Sequence, residues 1–191
     1  MSAVMEDAPG AVRETALARE RRAVRAAAAR RLLAAAPDCA AALDWDALAE
    51  APHWLALPQP ALARFARRVG AVLCAPAVKL WIDGPRIAAA RAALGDDFLQ
   101  ALLDEADVPV VDAGGRARQE SAERLPALLQ AGGAGVLLAS LPHGPLRRAA
   151  AAVLGPAVEL ALTPALAHTL VARTQALAAA GGAAHPNEAD R

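Results

Sequence analysis

Residues Trp54 to Leu103 read WLALPQPALARFARRVGAVLCAPAVKLWIDGPRIAAARAALGDDFLQALL, and this stretch decides the fold. Leu62, Phe65, Val69 and the Val72/Leu73 pair recur at the spacing of one helix face, which predicts an amphipathic helix with Leu62, Phe65 and Val69 in the core. Arg64, Arg67 and Arg68 lie largely off that stripe. Ala75-Pro76 should kink or restart the helix, because proline lacks a backbone donor and clashes with the preceding turn. The next piece, Pro76 to Ile82, ends at Asp83-Gly84-Pro85, where Gly84 can take a left-handed cap and Pro85 can open another helix. That helix stops at Gly95, and Asp96 is placed to cap a helix carrying Phe98, Leu99, Leu102 and Leu103.

The flanks extend the same pattern. Towards the N-terminus, Arg13 to Ala36 contains no Gly or Pro and predicts a long helix that Pro37 ends. Its apolar stripe is thin (Leu17, Val24, Leu32, Leu33) and is surrounded by Arg19, Arg21, Arg22, Arg25, Arg30 and Arg31. Such a helix is either a basic docking arm or a solvated helix held by one narrow seam. Asp44 can cap a short helix through Ala49, and three prolines make 51–60 an extended connector with Trp45 and Trp54 packed nearby.

Towards the C-terminus, Val108 to Ala113 is β-branched but contains Pro109, favouring an extended loop, and Gly114-Gly115 is a turn. Helices are expected at Glu123–Gln130 and Val136–Leu141, interrupted by the GGAG run at Gly132–Gly135, and again at Pro145–Leu154. Thr163-Pro164 then opens a last helix to Ala180. The expected fold is all-α: a compact, irregular domain of short helices with a long N-terminal helix. Its organisation is a disordered N-terminus over 1–12, a single helical domain over 13–180 and a flexible tail over 181–191.

Composition narrows the function classes. Of 191 residues, 56% are hydrophobic, but alanine supplies much of that fraction and buries little area. The formal net charge is +0, so no overall electrostatic preference for nucleic acid or an anionic membrane is expected. Cys39 and Cys74 stand far apart in apolar contexts and read as reduced core residues, not as a disulfide or a metal site. The N-terminus lacks the apolar core of a secretory signal, and no apolar run is long enough to span a bilayer. A cytoplasmic protein without direct membrane insertion is the expectation.

No catalytic, cofactor-binding or metal-ligating set is expected. The Gly-rich runs lack the lysine followed by Ser or Thr of a phosphate loop, and lack the GxGxxG spacing after a strand. His53, His143, His168 and His185 pair with no Cys or His at ligand spacing, and Ser140 is not in a GxSxG turn. Asp96-Asp97 and Asp104-Glu105 are better read as helix-end and surface acids than as a general acid and base. The chain reads as non-enzymatic.

Three segments carry a resemblance: WLALP at Trp54–Pro58, LARFARRVGAVLCAP at Leu62–Pro76 and IDGPRIAAARAALGDDFL at Ile82–Leu99, with a weaker echo in LPHGPLRRAAAAVLG at Leu141–Gly155. Together they make the chain similar to the SctK (YscK-like) family of type III secretion proteins, over roughly half its length. The resemblance implies a mainly α-helical adaptor of the sorting platform. Such an adaptor bridges the cytoplasmic domain of the inner-membrane ring protein (SctD-like) and the pod protein (SctQ-like), at the cytoplasmic face of the inner membrane. Arg64, Arg67 and Arg68 are the expected partner contacts, since arginine forks and stems suit interfaces. The alternative class is a DNA-associated helical regulator using the Arg-rich N-terminal helix, against which no convincing helix-turn-helix is visible.

Overall fold

The Leu62 face and its partners build the centre of the molecule. The computed structural model describes residues 9–43, 48, 51–81, 83–106 and 120–183. Among these are eight α-helices: α1 (Pro9–Ala35), α2 (Gln59–Leu73), α3 (Ala75–Val78), α4 (Gly84–Leu94), α5 (Asp96–Asp104), α6 (Leu125–Ala139), α7 (Pro145–Leu154) and α8 (Pro164–Ala183). Two 3₁₀ turns, Pro37–Ala42 and His53–Ala56, complete the set, and no strand occurs among the described residues. The fold is all-α, as the periodicity predicts.

Helices α2 and α6 lie against each other over most of their lengths and form the axis of the core. Small residues set how close they come. A Cβ added to Gly133 would overlap the Ala66 carbonyl and come within 2.8 Å of the Gly70 nitrogen. A Cβ added to Gly70 would in turn overlap the Leu129 carbonyl. The two backbones therefore touch, with glycine hydrogens facing carbonyl oxygens in the manner of close helix pairs. The sequence reading expected GGAG to break this segment. Instead α6 runs unbroken from Leu125 to Ala139. Each interior glycine costs a helix about 1 kcal/mol relative to alanine. Full burial of Leu129, Val136 and Leu137 opposes that cost with about 1.5–3 kcal/mol per side chain.

The other helices wrap this pair. Helix α8 packs on α5, α2 and α6, while α4 leans on α2, α5 and α6. Phe98, Leu99 and Leu102 of α5 are buried, and Leu103 faces outward at 40% exposure. Helix α1 docks on α7 and on the His53–Ala56 turn. Among its described side chains Ala28, Ala29 and Leu32 are buried, and Arg31 Nη1 donates to the Leu55 carbonyl at 3.1 Å. Gln59 Nε2 donates to the Val153 carbonyl at 3.2 Å, joining the start of α2 to the end of α7.

Several local expectations are revised. Gly84 is not a left-handed cap but the first residue of α4, and Asp83 is the N-cap, its carboxylate accepting from Arg86 N at 2.9 Å. The left-handed turn falls at Gly95, with φ 89°, which both ends α4 and precedes α5. Asp96 therefore lies inside the first turn of α5 and pairs with Arg91 at 3.1 Å, without a side-chain capping bond. Phe65 is only partly buried, while Ala66, one position on, is 1% exposed. The core face of α2 is rotated towards its small residues because α6 approaches so closely there. The 51–60 connector is not wholly extended: it contains the 3₁₀ turn at His53–Ala56, which buries Trp54 and Leu55, and α2 already starts at Gln59.

The ends of helices follow their signals more closely. Thr163 Oγ1 accepts from Leu166 N at 3.3 Å at the start of α8, and Gly155, with φ 75°, terminates α7. Helix α1 begins at Pro9, ahead of Arg13, and α8 continues to Ala183, where Gly181 packs against Asp97. The short helix expected after Asp44, Trp45, the VPVVDA segment, Gly114-Gly115 and His185 lie outside the described residues, apart from Leu48.

Candidate functional site

The three arginines expected to meet a partner lie on one helix but differ in surroundings. Arg64 is exposed on α2. Arg67 is half-buried, and its Nε donates along its own helix to the Ala63 carbonyl at 3.3 Å. Arg68 reaches across to α4 and α5. Its Nε donates to the Leu94 carbonyl at 3.0 Å, and its guanidinium carbon stands 4.8 Å from the Phe98 ring centre. It thus satisfies a carbonyl at the C-terminal end of α4, where a cation is favoured, and stacks on an aromatic face. Burial pushes its pKa down, the neighbouring Arg64 charge adds to that, and Asp97 opposes it. Arg68 is a half-buried clamp between three helices, so the exposed cation of this face is Arg64, with Arg67 and Arg68 partly exposed beside it.

The cysteines do not meet: both are free, Cys74 buried and Cys39 half-buried. Burial pushes the Cys74 thiol up to about 11, which keeps it protonated and poorly nucleophilic near neutral pH. Among the described residues no group of three or more His, Cys, Asp or Glu side chains gathers as a metal site. No described helix is long and apolar enough to cross a membrane. Acidic and basic groups instead tie helices together: Arg173 of α8 pairs with Glu105 just beyond α5, Lys79 Nζ donates to the Glu105 carbonyl, and Arg86 Nε donates to the Glu120 carbonyl at 2.9 Å.

A further concavity lies elsewhere. A groove of about 940 Å³ opens between the end of α6, the start of α7, the connector 155–163 and the start of α8. Leu138, Leu141, Leu146, Leu160 and Leu162 supply apolar lining, and His143, Arg147, Glu159 and His168 are its titratable side chains. The sequence reading took His143 and His168 as unpaired histidines and did not single out Arg147 or Glu159. Their separation in sequence left no spacing to detect. The one available signal was the loss of helical periodicity after Gly155-Pro156. The structure explains that loss: the connector lies flat on α6, with Val158 N donating to the Ala131 carbonyl at 3.0 Å and the Val158 carbonyl seated against Gly135.

A second cavity of about 380 Å³ lies beside α1, between Arg21, Val24, Arg25 and Ala28 on one side and Leu48, Ala51 and His53 on the other. Among the described side chains of α1, Arg19, Arg21, Arg22, Arg25 and Arg30 are exposed. In comparisons with protein-family models, curated proteins and solved structures, none matches this chain.

Proposed function

We propose that this chain is a non-enzymatic cytoplasmic adaptor of a bacterial type III secretion sorting platform, bridging an SctD-like inner-membrane ring protein and an SctQ-like pod protein. The observation that carries the reading is the resemblance of Trp54–Pro58, Leu62–Pro76 and Ile82–Leu99 to the SctK family. In the folded chain these segments are not scattered. Apart from Ile82, which lies outside the described residues, they supply the His53–Ala56 turn, α2, α3, α4 and the start of α5, which share one core. A scaffold held between two proteins needs a stable helical body with outward-facing charged groups, and Arg64 with Arg67 provides such a face on α2.

Co-purification with the pod protein of the same organism, read by size-exclusion chromatography with light scattering, tests this. A defined complex that survives moderate salt is expected, and Arg64→Glu with Arg67→Glu should weaken it while leaving the fold intact. Absence of a complex with both the pod protein and the ring protein's cytoplasmic domain would overturn the reading.

One observation favours a second reading. Arg19, Arg21, Arg22 and Arg25 are all exposed in the middle of α1, with Glu20 the acid among them. A DNA-associated regulator would use this stretch on phosphates. Its binding to duplex DNA would then fall steeply with salt, because each neutralised phosphate releases counterions.

A further inference from the structure

We propose that the groove between α6, α7, the 155–163 connector and α8 docks an extended peptide segment of a partner protein, one that carries alternating apolar side chains and a carboxylate. The inference goes beyond the adaptor reading and does not depend on it. Three features of the groove select this occupant.

The first is the backbone. In the connector, Val158 N and Leu162 N are engaged, by the Ala131 and Leu160 carbonyls at 3.0 and 2.9 Å. Among the described residues, the N–H groups of Glu159, Leu160 and Ala161 between them donate to no carbonyl, and Glu159 and Ala161 are exposed. Successive N–H groups of an extended stretch point to opposite edges, so Glu159 and Ala161 offer open donors along one edge, which suits a ligand with a row of carbonyl acceptors. An extended peptide has one. A helix does not, because its own ladder uses its carbonyls.

The second is the lining. Leu138, Leu141, Leu146, Leu160 and Leu162 make an apolar floor, in a space at the upper end of the roughly 300–1,000 Å³ typical of ligand sites. Every second side chain of an extended peptide points to one face, so alternating apolar residues would enter this floor together.

The third is charge. The Arg147 guanidinium meets no carboxylate among the described residues; Nη1 leans on the His143 ring at 3.2 Å. His143 and His168 add further ring nitrogens, against the single carboxylate of Glu159. A carboxylate on the occupant completes Arg147 with a charge-assisted hydrogen bond.

Selection of random linear twelve-residue peptides on the full chain tests the proposal. The selected peptides should alternate apolar residues and carry an Asp or Glu. A synthetic representative should shift the amide resonances of Glu159, Leu160 and Ala161 on titration. N-methylation of alternate peptide amides should abolish its binding. Arg147→Glu, whose unchanged melting temperature establishes folding, should weaken it by about tenfold or more, and selection on that variant should exchange the acidic residue for Lys or Arg. His168→Gln gives a second folded variant expected to weaken binding more mildly. The proposal is overturned if no peptide is selected, if binding ignores both variants, or if the connector amides stay unmoved. A concentration-dependent dimer that Arg147→Glu dissociates would assign the groove to a second copy of the chain, and would overturn it as well.

Discussion

The α2–α6 pair and the α1 helix are both rich in small residues, yet they are held in opposite ways. At the α2–α6 contact, Gly70, Gly133 and Ala66 let two backbones touch, and the large side chains on either side, such as Val69, Leu73, Leu129 and Leu137, are fully or almost fully buried. On α1, Ala18 to Ala26 is exposed on nearly every side, and attachment comes from Ala28, Ala29, Leu32 and the Arg31–Leu55 hydrogen bond. Small residues bury little area by themselves. They become structurally decisive only where a second helix closes on them, because there any added atom has nowhere to go.

Four experiments sharpen or break this contrast. The largest effect belongs to Gly133→Ala, which places a methyl group against the Ala66 carbonyl. We expect a loss of about 3 kcal/mol or more in denaturant unfolding, and no folded protein when Gly70→Ala is added. A single variant as stable as the parent would mean the helices are not in backbone contact. Next is Leu32→Ala, which removes a fully buried large side chain of α1. It should cost about 2–4 kcal/mol and free α1 for proteolysis while α2–α6 stays protected; loss of protection throughout would show that α1 and the seam unfold as one unit.

The third concerns Cys74, at the end of α2. Its folded pKa of about 11 exceeds the thiol's ordinary value of 9.0, so the folded state retains the proton longer. The resulting contribution is complete below pH 9 and disappears as pH rises to 11. By linkage this pH-dependent loss approaches about 2–3 kcal/mol. Comparison with Cys74→Ala isolates it: the parent should lose stability faster than the variant across that window, and parallel curves would place the thiol in contact with water. The smallest effect separates two kinds of arginine. Arg68→Ala, which removes the Leu94 bond and the Phe98 contact, should cost about 1–2 kcal/mol. Arg22→Glu on the exposed side of α1 should stay within about 0.5 kcal/mol. Equal melting temperatures for the two variants would mean Arg68 is no clamp.

How much was legible in the sequence varied by residue. The Leu62–Val69–Leu73 spacing, Pro37, Gly95, Gly155 and Thr163-Pro164 all marked helices or their ends, because each acts through its own backbone or through neighbours within one turn. The GGAG run misled because a glycine's local cost is the same whether or not a second helix compensates it. Phe65 misled because an apolar stripe has a width, and only the position of α6 decided which edge of it was covered. Arg68 read as a surface cation. Its partners, Leu94 and Phe98, lie 26 and 30 residues further along the chain, outside the reach of any local pattern.

The sequence by itself determined that this protein is helical and where most of its described helices stop. Those properties depend on propensity, proline and glycine placement, and period, which act over a few residues. The tertiary structure alone decided that α2 and α6 touch through glycine, that Arg68 is tied to α4 and α5 while Arg64 is exposed, and that His143, Arg147, Glu159 and His168 border one groove. Each of these depends on contacts between residues distant in the chain, and such contacts form only when the helices pack.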